Sequence, residues 1–166
     1  FAVKDYYNID NEFGDWKDII NISKSFRVMA DVVINHGSSE GVWFKNFIKG
    51  EGRGHDYFLS FDNTFDITEV VRPRTSPLLN TFDVHDGTRY LWCTFSKDQV
   101  DYNFNNPKVI NEFVEIILYY LKMGITIFRF DAVAFLWKRI GTSCMNLEKT
   151  HEIIRLFRTI IDYLSP

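Results

Sequence analysis

Residues 124–138 run from Gly124 to Lys138 as Gly-Ile-Thr-Ile-Phe-Arg-Phe-Asp-Ala-Val-Ala-Phe-Leu-Trp-Lys. Ile125 to Phe130 is apolar or β-branched except at Arg129, which reads as a strand ending at Asp131. Gly124 ahead of it has the character of a helix stop. Arg129 and Asp131 are two apart, so their side chains share one face of the strand. A carboxylate beside a fixed guanidinium is held ionised at neutral pH. Such a group suits nucleophilic attack on an electrophilic carbon. The alternative is a structural ion pair inside a barrel, and spacing alone does not choose between them.

The flanks of this strand set the fold class. Upstream, Asn106 is an N-cap type and Pro107 already has a helical φ, so the pair opens a helix. Val109, Ile110, Phe113, Val114, Ile117, Leu118 and Leu121 then recur at three- and four-residue intervals. Downstream, a helix is predicted over Leu147 to Leu164, with Ile153, Phe157, Ile160, Ile161 and Leu164 on one face and Ser165-Pro166 ending it. Further upstream, Phe26 to Ile34 reads as a strand buried on both faces, ending at Asn35-His36-Gly37. Gly14 to Ser25, with Trp16, Ile19, Ile20 and Ile22, fits a short helix packed on that strand. The order is strand, long insert, helix, strand, helix. That alternation implies an α/β fold with a parallel sheet and right-handed crossovers. The insert, Gly37 to Phe104, is too long for a plain loop and is expected to be a small irregular subdomain.

Composition excludes several classes. The chain has 166 residues, enough for one domain. At 46% hydrophobic and 25% charged it is neither disordered nor fibrous. There are 19 basic and 22 acidic residues, a net charge of −3, which gives no reason to expect nucleic acid or an anionic membrane as partner. Aromatics reach 17%, and aromatic walls suit the apolar faces of sugar rings. No stretch approaches the ~18 apolar residues of a membrane span. No signal peptide is visible, and the chain begins at Phe1 rather than Met. Cys93 and Cys144 are far apart and lack CxxC spacing, so two reduced, buried thiols in a cytoplasmic protein are expected.

Other polar motifs are weaker. His36, His55, His85 and His151 have no metal-ligand spacing, and Asp62 to Glu69 lacks the glycine and spacing of an EF-hand loop. No metal site is expected. Asn21-Ile22-Ser23 matches a glycosylation sequon, as chance sequences often do. Arg72-Pro73-Arg74 offers two arginines that could grip a phosphate, or simply solvated surface charge. Asp31, Asn35 and His36 cluster at the end of the first strand, where an α/β barrel places its active site. Asp and Asn there can hold a turn through their own side chains, and His36 can equally reach a sugar hydroxyl.

Together these segments resemble glycoside hydrolase family 13, the α-amylase family. Asp31-Val32-Val33-Ile34-Asn35-His36 resembles the family's DxxxNH motif on the third barrel strand. Residues 124–138 resemble the fourth-strand motif centred on RxD, and Gln99-Val100-Asp101-Tyr102-Asn103 resembles QxDxN. Arg72-Pro73-Arg74, Phe95 to Asp101 and Gly141-Thr142-Ser143-Cys144 resemble the branch of sucrose phosphorylases and related phosphorylases such as those acting on glucosylglycerate. Asp5-Tyr6 with Phe13 to Trp16 resembles that branch's segment after the second strand.

The resemblance implies a partial (β/α)8 TIM barrel, about units 3 and 4, with an inserted domain B after the third strand. Residues 1–36 would run from the end of unit 2 through strand 3, 37–104 would form domain B, and 105–166 would supply the third helix, fourth strand and fourth helix. Asp131 would be the catalytic nucleophile and Arg129 would orient it. His36 would hydrogen-bond the glucosyl ring, and Phe1 would stack under it. Phe95 and Gln99 would line the acceptor side, with Arg74 a phosphate contact. Asp31 and Asp101 would be structural. Asn35 and Asp101 correspond to calcium-binding positions in the amylase branch, whereas the phosphorylase branch generally works without the metal. No organic cofactor is implied. The implied partners are a small α-glucoside and inorganic phosphate.

Three positions depart from the pattern. Val71 stands where sucrose phosphorylases often have Tyr, which leaves glucosides other than sucrose open. Phe130 replaces the usual Leu and is expected on the outer face of its strand. Gly37 takes a place often held by Thr or Ser.

Retaining glycoside chemistry needs a second carboxyl group about 5–5.5 Å from the nucleophile. The resemblance places that acid/base Glu on the fifth strand, and Pro166 precedes it. An eight-unit barrel typically needs ~250 residues. The expectation is therefore a fragment, inactive alone and prone to poor solubility through unpaired sheet edges. Three readings stay open for the parent protein: a retaining α-glucoside phosphorylase, a hydrolase or transglucosidase using the same residues, and a non-catalytic binding protein or relic.

Overall fold

A computed structural model describes residues 2–164. Its centre is a parallel pair, β1 (Val28–Val33) and β7 (Ile125–Asp131). Asp31 lies opposite Arg129 and Val33 opposite Asp131, so both strands end together. Between them in sequence come β2 (His36–Ser38), α2 (Val42–Lys49), β3 (Ser60–Phe61), β4 (Leu79–Val84), β5 (Gly87–Trp92), β6 (Gln99–Asp101) and α3 (Pro107–Lys122). The remaining helices are α1 (Trp16–Ser23) and α4 (Glu148–Leu164), with a 3-10 turn at Val133–Phe135. The described residues form no closed barrel: the parallel sheet has two strands. No helix among them is long and apolar enough to cross a membrane.

The expected helices form for the expected reasons. Asn106 caps α3 by accepting the Lys108 N–H, and Pro107 occupies the first turn. Val109, Phe113, Ile116 and Ile117 of that helix are completely buried. α1 begins two residues later than predicted because Asp15 caps it in a capping box with Asp18. Phe130 packs towards α4, its ring 5.8 Å from that of Phe157, so the larger side chain is accommodated on the helix-facing side of β7.

Two expectations need correction. β1 is not buried on both faces: Met29 and Asp31 are exposed, and only Val32 and Val33 are fully buried. A strand with a single partner and one covering layer keeps its other face open. Nor is the 37–104 stretch merely irregular. It holds a helix and the antiparallel sheet β3-β5-β4, while β6 pairs with β2. β4 and β5 form a hairpin turning at His85-Asp86, with Gly87 at φ 131°. Asp-Gly is a strong hairpin signal, present in the sequence at Asp86-Gly87.

One aromatic core joins these parts. Tyr6, Trp43, Tyr57, Tyr102, Phe104 and Phe113 belong to a single buried cluster. The Tyr6 hydroxyl donates to the Val33 carbonyl at 2.6 Å, fixing the end of β1. Glu112, buried on α3, accepts from Tyr7 (2.7 Å), Tyr57 (2.7 Å) and the forked guanidinium of Arg53 (2.7 and 2.8 Å). That carboxylate thus binds the N-terminal segment and the 37–104 stretch to α3. Gly37 lies against this core. A Cβ there would sit 2.1 Å from the Tyr102 hydroxyl, so the site takes no Ser or Thr unless Tyr102 moves.

Candidate active site

The C-terminal ends of β1 and β7 carry three charged side chains in line. Arg129 donates from Nη1 to Asp31 Oδ2 at 2.9 Å, and its Nη2 is 3.7 Å from Asp131 Oδ1. The parallel register makes this bridge, because Asp31 and Arg129 are direct neighbours and Asp131 lies one same-face step further on. Hydrogen bonding to Asp31, followed by the attraction of both carboxylates, holds the Arg129 guanidinium above its ordinary pKa. All three side chains are accessible, Asp131 being 43% exposed. Ala132, directly after Asp131, has φ 58°, and this left-handed residue turns the chain from β7 into the 3-10 helix.

A second group stands at the end of β1. His36 is buried, with Gln99 Nε2 3.0 Å from its Nε2 and Asn35 Nδ2 3.3 Å from its Nδ1. The Phe95 ring lies 5.1 Å from the His36 ring and 5.5 Å from that of Phe135, just beyond Asp131. The structure therefore brings His36, Phe95 and Gln99 together, and joins Arg129 with Asp131. Arg74 is exposed on a loop linked to this wall through Ser76, whose hydroxyl donates to the Phe95 carbonyl at 2.7 Å. Phe1 lies outside the described residues.

Beneath the wall is a buried polar network. Asp101 accepts from Asn35 Nδ2 (2.8 Å), from the Thr94 N–H (3.0 Å) and from Thr94 Oγ1 (2.5 Å). Lys138 Nζ lies 2.7 Å from Asp101 Oδ2 and donates to Asn35 Oδ1 at 2.8 Å. Burial lowers the Lys138 pKa, and the attraction and hydrogen bond of Asp101 oppose that shift. The residues at the calcium-related positions Asn35 and Asp101 do not fit a divalent ion, because an ammonium group already engages both. Sequence reasoning gave no role to Lys138 or Thr94. The usable signal was a lysine closing the apolar run Ala132 to Trp137, since lysines are seldom buried unpaired. Among the described residues, no three His, Cys, Asp or Glu side chains group as metal ligands would. Cys93 and Cys144 are free thiols, both buried.

A two-carboxylate, one-guanidinium cluster thus stands at the ends of the parallel strands of an α/β fold, beside a wall that includes an aromatic and a histidine. The chain belongs to the α-amylase family: residues 1–163 match the model of the α-amylase catalytic domain. It is 44% identical over 167 residues to the glucosylglycerate phosphorylase of Escherichia coli K12, covering all of this chain and 30% of that protein. It is 42% identical over 166 residues to the glucosylglycerate phosphorylase of Spirochaeta thermophila, again covering the whole chain and 28% of the relative. Among solved structures it resembles the sucrose 6F-phosphate phosphorylase of Thermoanaerobacter thermosaccharolyticum, with TM-score 0.88 and 28% identity over 98% of this chain and 36% of the other. The chain thus spans less than a third of the length of these two curated relatives.

Proposed function

We propose that this chain is the nucleophile-bearing part of a retaining α-glucoside phosphorylase, with glucosylglycerate as the favoured donor. The observation that carries the reading is the Asp31–Arg129–Asp131 line at the paired ends of β1 and β7, beside the His36–Phe95–Gln99 wall. The phosphorylase relatives supply the acceptor.

In this reading Asp131 attacks the anomeric carbon of the glucosyl unit while the leaving oxygen takes a proton from a glutamate supplied by polypeptide outside this chain. Arg129, its Nη2 3.7 Å from Asp131 Oδ1, aims the carboxylate. His36 hydrogen-bonds the ring, and Phe95 and Gln99 face the leaving group. Phosphate then attacks the β-glucosyl ester from the opposite side. It releases α-glucose 1-phosphate and restores the Asp131 carboxylate. β1 and β7 serve as the third and fourth barrel strands, and residues 37–104 as the inserted domain.

The test is to incubate the full-length gene product with glucosylglycerate and inorganic phosphate and to assign the anomer formed. α-Glucose 1-phosphate supports the reading. The β anomer, or free glucose formed at a rate indifferent to phosphate, overturns it; the latter result makes the protein a hydrolase.

A further inference from the structure

The buried network beneath the wall has a direction, and it ends on His36. Asn35 is wholly buried, and the partners of its side chain fix which end of the amide is which. Lys138 Nζ, 2.8 Å from one end, is an ammonium that only donates, so that end is the carbonyl oxygen. Asp101 Oδ2, 2.8 Å from the other end, belongs to a carboxylate that only accepts, so that end is the NH2 group. The backbone is held as well, because the Tyr102 N–H donates to the Asn35 carbonyl at 2.9 Å. The same NH2 group stands 3.3 Å from His36 Nδ1, with its second hydrogen to give.

We propose that Asn35 is a positioning residue: its NH2 group, oriented by Lys138 and Asp101, holds His36 as the Nε2–H tautomer, so that the ring meets Gln99 and the substrate as a hydrogen-bond donor. A bare Nδ1 accepts from Asn35, which leaves the single proton of the neutral imidazole on Nε2. Turning the ring over would set carbon atoms against both Asn35 and Gln99, and His36 is buried, where an unmet polar group is costly. The same proton sets Gln99. Two N–H groups do not bond to each other, so the Gln99 amide, 3.0 Å from Nε2, gives its oxygen to the ring. Its nitrogen then faces Ser96 Oγ, 2.9 Å from the far end of that amide, and a hydroxyl accepts as well as donates. That the substrate group receiving the proton is a glucosyl hydroxyl rests on the phosphorylase reading; the tautomer does not.

Nitrogen NMR of the full-length gene product, with its histidine rings isotopically labelled, tests this at a pH where the ring is neutral. The shifts separate a protonated from a bare ring nitrogen, and His36→Gln identifies the His36 signals by their loss. The parent should show a protonated Nε2 and a bare Nδ1. Exchanging the partners, Asn35→Asp with Asp101→Asn, keeps one carboxylate beside Lys138 but turns an oxygen toward Nδ1. The proton should then move to Nδ1, and kcat/KM for the glucoside should fall about tenfold, the loss of one hydrogen bond. If the exchanged protein does not fold, Asn35→Asp alone offers the same oxygen and the same reading of the ring. A protonated Nδ1 in the parent would overturn the proposal. So would a proton that stays on Nε2 when an oxygen faces Nδ1. A parent that forms no α-glucose 1-phosphate, yet whose ring proton moves in the exchange, would fail the phosphorylase reading alone.

Discussion

Lys138 Nζ lies 2.7 Å from Asp101 Oδ2, with both side chains almost wholly removed from water. The pair joins the segment after β7 to β6, whose Asp101 and Val100 lie opposite His36 and Gly37 of β2 across the ladder. A buried ion pair costs desolvation, and its worth depends on how completely its remaining atoms are satisfied. Here Thr94 and Asn35 complete the shell of Asp101. Lys138→Met strands a carboxylate and should destabilise the protein by about 3–5 kcal/mol. Lys138→Met with Asp101→Asn should lose less than the sum of the single changes. Urea unfolding of the four proteins measures this; a loss below about 1 kcal/mol for Lys138→Met would place the pair in solvent.

Arg129 touches two carboxylates with different nitrogens, and that sets its tolerance to change. Lysine keeps the charge but not the fork. Arg129→Lys should therefore lower kcat by about 10²–10³, the range for losing one aimed donor at a site of developing charge. Asp131→Asn should leave almost no turnover, since no covalent ester can form. Steady-state kinetics on the full-length gene product decide both. Asp131→Asn retaining more than a tenth of the activity would remove Asp131 from the nucleophile's place.

Much of this was legible in the sequence because it rests on local rules. β7 has the limits that its apolar run implied, and α3 starts where Asn106-Pro107 placed it. The resemblance picked out His36 and Gln99 separately, one for the ring and one for the acceptor side; their direct contact comes from the β2–β6 ladder, which joins motifs far apart in the chain. What escaped was non-local. The Lys138–Asp101 pair needs the 37–104 stretch folded back on the segment after β7. The exposed face of β1 depends on how many strands flank it, which no window of that strand records. The β4–β5 hairpin was missed for a different reason: its Asp-Gly signal lay inside a stretch read as irregular.

Gly37 is explained by its neighbour. Its backbone is unremarkable, but a Cβ would press on the Tyr102 hydroxyl and, at 2.8 Å, on the ring carbon bearing it. Overpacking of this kind costs about 1–3 kcal/mol. Gly37→Ser should lower the urea midpoint accordingly, and Tyr102→Phe in the same chain should return part of the loss by removing the closest atom. An unchanged midpoint in Gly37→Ser would mean that Tyr102 yields freely, contrary to its burial.

Asp98 gives a pH signature at the edge of the site. Burial acts to raise its pKa, but hydrogen bonds from the Ser39 and Ser38 hydroxyls and the Ser39 N–H outweigh it, and the net shift is downward from 3.8. A carboxyl whose folded pKa lies below its unfolded one stabilises the fold fully above the unfolded value, and the contribution fades as pH falls through the folded value. Replacing Ser38 and Ser39 by Ala removes the two hydroxyl donors and raises the folded pKa. The variant should therefore be less stable than the parent at neutral pH by a constant amount. Part of that gap should close as pH drops below 3.8, where Asp98 takes up its proton in both proteins. Urea midpoints followed from neutral to acid pH give the answer. A gap that stays level across that range would mean the serines act only through packing.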